Sequence, residues 1–166
     1  MASKKGIVVT AIILAAITGA SFLLWIVPQD VETTFVVSDY ENYLDGVKNI
    51  HEVLEESIDI EYQNLQTGKI SPQDYIAVTQ VTSSQVTTQI SEFVTSKPSE
   101  EWQASYINYM EAMKSFNSYI IETKVLANMI ENGSTEEEMS EIIEKIESIK
   151  MESGEFVKIS DESRPG

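Results

Sequence analysis

Polar residues open the chain, an uncharged and mostly apolar run follows from Ile7 to Val27, and from there apolar and charged positions alternate in a helical rhythm to the end. As a helix, residues 7–27 rise about 31 Å, enough to cross the hydrocarbon core of a bilayer. Trp25 near the far end suits the membrane interface, and Pro28, Gln29 and Asp30 close the run. A single transmembrane helix is therefore predicted over residues 6–28, with residues 29–37 as an extended stalk.

Four soluble helices are then marked by caps and periodicity. Ser38-Asp39-Tyr40-Glu41 has the form of a capping box, and after it Tyr40, Tyr43, Val47, Ile50, Leu54, Ile58, Glu61 and Leu65 recur at spacings of three and four until Gly68. Ser71-Pro72-Gln73-Asp74 offers an N-cap, a proline in the first turn and an early acid. The second helix it opens is rich in Thr and Val, residues that also suit strands, but Val78, Thr82, Val86, Ile90 and Phe93 keep helical spacing. Trp102, Tyr106, Tyr109, Met113, Phe116, Ile120, Thr123, Ala127 and Ile130 predict a third helix that stops at Asn132-Gly133. Ser134-Thr135-Glu136-Glu137 reads as the next capping box, and Met139, Ile142, Ile146 and Ile149 line a shorter fourth helix ended by Gly154. Short connections make consecutive helices antiparallel neighbours. The predicted fold is all-α: an antiparallel four-helix-bundle-like domain over residues 38–153, with residues 154–166 as a polar tail.

Charge sets orientation and narrows partners. Lys4, Lys5 and the amino terminus flank the near end of the apolar run, while the next basic residue is Lys48, so residues 1–5 are expected in the cytoplasm and the domain outside the cell membrane. All 27 acidic residues follow Gln29, and the whole chain has a formal net charge of −16. Such a surface repels nucleic acid and anionic headgroups. The chain has no cysteine, which removes disulfides, thiol catalysis and cysteine metal sites.

Two alternatives for the N-terminus rest on local pattern. Thr18-Gly19-Ala20 before Ser21 loosely fits a signal-peptide cleavage site, at the cost of leaving an apolar mature end. Lys4-Lys5-Gly6 followed by Ile7-Val8-Val9-Thr10-Ala11 resembles the class III signal of archaeal prepilins and archaellins. That resemblance implies processing after Gly6 and a pilin-like filament subunit, though Ala11 stands where bacterial pilins carry glutamate. The Cys-free, Ile-, Glu- and Thr-rich single-span plan also resembles small archaeal surface proteins. A helical bundle behind a first span is similar to the periplasmic domains of chemoreceptors and sensor kinases, which implies a ligand-binding, sensor-like role exercised through a partner.

Candidate chemistry is sparse. His51-Glu52-Val53-Leu54-Glu55 echoes the zinc-protease helix motif, but Glu55 replaces the second histidine and His51 is the only one in the chain. No metal site, cofactor or catalytic group is expected, and glutamate clusters at helix starts are accounted for by the helix dipole. Trp102, Tyr106, Tyr109 and Tyr119 form a candidate partner or ligand surface, with Tyr119 off the main seam. Asn132 begins an acceptor sequon for N-glycosylation. Ala11, Ala15 and Gly19 stack on one face of the membrane helix, where small residues let another helix approach closely. The expected partners are the lipid bilayer and other transmembrane proteins or a second copy. The expected function is that of a non-catalytic, membrane-anchored extracytoplasmic interaction protein, an accessory or structural subunit of a larger membrane or cell-surface complex.

The membrane face has a direct test. Replacing Ala15 and Gly19 by Leu is expected to keep insertion but to lower recovery of the chain's complexes from mild detergent, relative to Ile13→Leu. Equal recovery from both would make the stripe ordinary lipid-facing surface.

Overall fold

A computed structural model describes residues 39–166; the expected transmembrane helix, its Ala11, Ala15 and Gly19 face and the stalk lie outside the described residues. Four α-helices follow in order: α1 (Tyr40–Gln66), α2 (Pro72–Thr95), α3 (Gln103–Glu131) and α4 (Glu136–Glu162), with a 3-10 turn at Glu100–Trp102 ahead of α3. Among the described residues there is no strand, and no helix is long and apolar enough to cross a membrane.

The helix ends follow from backbone groups that need partners. Gly68 and Gly133 adopt left-handed φ of 67° and 74°. In the first case the amides of Gly68 and Lys69 return to the carbonyls of Leu65 (3.0 Å) and Asn64 (2.8 Å), and in the second those of Gly133 and Ser134 return to Ile130 (3.1 Å) and Met129 (3.0 Å). Both are Schellman closures. The second explains a shift from the expected cap: Ser134 is committed to ending α3, so Thr135 becomes the N-cap of α4. Its capping box is completed by Glu138 rather than Glu137. At α1 the cap is Asp39, whose carboxylate accepts the amide of Asn42 at 3.1 Å. Ser71 caps α2 through the amide of Asp74, with Pro72 in the first turn as predicted.

Pairings between helices define an up-down-up-down bundle. The start of α1 meets the end of α2 through Tyr43 and Phe93, and the end of α1 meets the start of α2 through Tyr62 and Tyr75. Ser83 of α2 donates to Asn117 of α3 at 2.7 Å. Lys48 and Lys150 tie α1 and α4 through Asp161 (2.7 Å) and Asp59. Helices α1 and α3 run parallel across the diagonal, where aromatic rings fill the centre.

The α3–α4 interface departs most from expectation. Helix α4 passes straight through Gly154 and ends at Glu162, so residues 154–162 are helix and not tail. The reason is a buried serine seam. Ser153 donates to the carbonyl of Ala112 (3.0 Å) and Ser160 to that of Ser105 (2.8 Å), both across the helix interface. A hydroxyl can reach a neighbouring backbone only if the axes lie close, toward the low end of the usual spacing of about 8–10 Å. Small residues one heptad apart on both helices permit that approach, and Phe156 and Val157 pack against the core beyond Gly154. Gly154 itself is exposed, and a Cβ there would meet nothing within 4 Å.

Two substitutions are therefore expected to act in opposite directions. Gly154→Ala should stabilise the domain by roughly 0.5–1 kcal/mol, since it adds helix propensity in open space. Ser160→Leu should destabilise it by about 1–3 kcal/mol through overpacking. Denaturant unfolding checks both, and a Gly154→Ala variant of lower stability would contradict a continuous α4.

Candidate functional site

Three phenols on α3 reach across to α1. Tyr106 donates to the carbonyl of Tyr40, Tyr109 pairs with Nδ1 of His51, and Tyr119 donates to Asp59, each at 2.8 Å. Asp59 also holds Lys150 of α4, whose ammonium lies 5.6 Å from the centre of the Tyr119 ring. Burial first, and then the charge of Asp59, pushes the Tyr119 phenol far above its ordinary range. The Tyr106 and Tyr109 phenols are also raised, chiefly by burial. None of the three acts as an acid near neutral pH.

His51 is the chemically distinctive residue of this layer. Absent from the apolar seam expected of α1, it lies in the core at 3% exposure, against the Phe116 ring (4.7 Å between centroids). Either His51 or Tyr109 can be the donor in their shared bond, and Nε2 is buried without a hydrogen-bond partner among the described residues. Burial lowers the imidazole pKa to about 4, so the ring is neutral at physiological pH. Val47, Leu54, Ile58 and Leu65 of the expected α1 seam are buried, but the face is turned slightly: Leu44 and His51 are buried with them, whereas Ile50 is 47% exposed.

The aromatic residues expected to form a partner surface and the expected glycosylation site are placed in three different ways. Tyr106, Tyr109 and Tyr119 are buried and bond helix to helix. Trp102 is half-buried at the start of α3, edge-on to Tyr106 at 6.2 Å. Asn132 is exposed in the α3–α4 turn. Within the His51–Glu55 motif, Glu52 is exposed and Glu55 half-buried, with its pKa raised by burial and then by Asp59. Among the described residues, no group of three or more His, Asp or Glu is arranged to hold a metal ion.

What the rotation of α1 does create is a two-sided surface. Asp45, Lys48, Glu52, Glu55 and Asp59 follow spacings of three and four along the flank that meets α4, as the ion pairs of Asp45 with Arg164 (2.6 Å) and Lys48 with Asp161 show. Ile50, Val53 and Ile60 lie on the other flank, toward α2, and all three are exposed. Helix α4 adds ten more acids to the charged side. Helix α2 carries only Asp74 and Glu92 and no basic residue, so its outward surface is Ala, Val, Ser, Thr and Gln. The acidic character of the chain is thus concentrated on α1 and α4, leaving α2 uncharged over residues 75–91.

Sequence periodicity did not reveal this segregation, because it follows from which flank of α1 turns toward α4. Comparison with known proteins returns nothing similar: no family model, no curated protein and no solved structure matches the chain.

The buried imidazole predicts a pH dependence. Its folded pKa, about 4, lies below the unfolded value near 6.5, so the neutral ring contributes stability fully above about pH 6.5, and that contribution is lost as pH falls toward 4. A difference of roughly 2.5 units corresponds to about 3 kcal/mol. His51→Gln keeps a hydrogen-bonding group beside Tyr109 but does not titrate, so its unfolding free energy should fall less than the parent's between pH 6.5 and 4, by about that amount. Parallel pH profiles for the two proteins would contradict a neutral buried His51.

Proposed function

We propose that this chain is a non-catalytic, membrane-anchored extracytoplasmic interaction protein, an accessory or structural subunit of a larger membrane or cell-surface complex. The observation that carries the reading is the division of the bundle surface into a charged side on α1 and α4 and an uncharged side centred on α2. A helix facing only solvent in so acidic a chain has no need to exclude charge. An interface does, because charges buried at its centre must be desolvated. Two large apolar side chains are exposed on α2, three on α1 and three on α3, against two on α4, and exposed apolar side chains of this kind are what contact surfaces use.

The interior supports the same reading from the other direction. The chain's one histidine and the tyrosines of α3 are committed to bonds between helices, so the groups best suited to proton transfer lie away from any solvent-borne substrate. The anchoring of the domain rests on the apolar run of residues 7–27 and on Lys4 and Lys5 at its near end. On this reading the acidic side keeps the domain soluble and away from anionic headgroups, and the α2 side makes the contacts.

Affinity recovery of the full chain from gently solubilised native membranes tests the proposal. Expected is a defined assembly in which the chain is held in fixed stoichiometry with other polypeptides. Recovery as a lone monomer, with no partner retained at native abundance, would overturn it.

A further inference from the structure

We infer that α2 is the surface through which two copies of this chain pair, with their α2 helices antiparallel about a twofold axis level with Val86. The inference rests on the reading of the chain as an interaction protein and names both the surface and one occupant.

The outermost line of α2 is Ala77, Val81, Ser84, Thr88, Ser91 and Thr95, all exposed, at spacings of four, three, four, three and four. That is the rhythm of a helix–helix seam, on a helix that already packs its opposite side into the core through Tyr75, Thr79, Thr82, Val86 and Phe93. The spacing reads the same in both directions. Reversing one copy therefore sets Ala77 against Thr95, Val81 against Ser91 and Ser84 against Thr88, as an isologous contact requires.

Burial of this line leaves few polar groups stranded. The hydroxyls of Ser84, Thr88 and Thr95 already donate to the carbonyls of Gln80 (2.9 Å), Ser84 (3.0 Å) and Glu92 (2.7 Å) within their own helix. They enter an interface with their donors satisfied, and the methyls of Val81, Thr88 and Thr95 supply apolar contact. One helix face is narrow for a stable pair, which needs about 800 Å² from each partner. The exposed apolar residues on both flanks, Ile60 on α1 and Ile121 and Val125 on α3 among them, extend it.

Charge selects the occupant and its direction. A basic partner would be drawn to the α1–α4 side, whereas a second copy, with a formal charge of −16, is repelled most by that side and less along the uncharged α2. A parallel pairing would oppose Asp74 to Asp74 and Glu92 to Glu92. The antiparallel one brings Asp74 within one residue of level with Lys97 of the other copy, at both ends, and sets Glu92 against Gln80.

The absence of native cysteine makes cross-linking decisive. Positions 77 and 95 are about 27 Å apart along one helix, too far for a disulfide within a chain. In the full chain, in its own membrane, Ala77→Cys with Thr95→Cys should form a covalent dimer on mild oxidation at least about tenfold more readily than either single variant, since only the antiparallel pair brings the two positions together. Adding Val81→Glu and Thr88→Glu, both at exposed positions and checked for retained helicity, should reduce that yield by about a hundredfold, as like charges placed face to face require. Single variants that cross-link as well as the double, or a yield unmoved by the two glutamates, would overturn the pairing. Either result leaves co-purification with a different protein unaffected, so the inference and the broader proposal fail separately.

Discussion

A buried phenol needs a hydrogen-bond partner, and three of them on α3 find theirs on α1. Leaving such a group unpaired costs about 1–3 kcal/mol. Apolar packing has no direction, so it can bring α1 against the core without choosing its rotation. The bonds from Tyr106, Tyr109 and Tyr119 to Tyr40, His51 and Asp59 make that choice, at three levels of the bundle. A slip of α1 by one residue would strand all three together. Much of the surface follows from this constraint: with His51 turned inward, Asp45, Lys48 and Asp59 face α4, and Ile50, Val53 and Ile60 are left on the side of α2.

The other neighbours are held by different means. Helix α4 is drawn close to α3 by serines that bond directly to backbone carbonyls, and it is joined to α1 by long cationic side chains that reach acids on the opposite helix. Exposed ion pairs contribute little stability individually. Their role here is to offset repulsion between the two most acidic helices, which Lys48, Lys150 and Arg164 bridge.

Helix number, order and most ends were legible because their causes are local: Gly68 and Gly133 must adopt left-handed backbone, and Ser71 with Pro72 opens a helix wherever it occurs. The rotation of α1 was legible only in part, through Val47, Leu54, Ile58 and Leu65. Counting apolar residues favours Ile50 over His51, and only the distant Tyr109 makes the histidine the better core residue. The same blindness ended α4 at Gly154, since Ser153 and Ser160 look like surface residues until Ala112 and Ser105 stand opposite them. Tyr119, off the main α3 seam in the sequence, faces the neighbouring α1 through its bond to Asp59. The uncharged character of α2 was plain in its Ser- and Thr-rich sequence, but its meaning depended on knowing which flanks of α1 and α3 border it.

Taken with the proposed anchor, these features fit the proposal of a domain whose interior serves its own stability and whose α2 side makes the contacts. Hydroxyl-radical footprinting of the full chain, comparing native membranes with dilute solubilised protein, tests this division of labour most directly. Expected is protection of Val81, Ile121 and Val125 in the membrane sample, with Met151 and Ile159 on α4 equally reactive in both. Protection centred on Met151 and Ile159, with the α2 side unchanged, would contradict it.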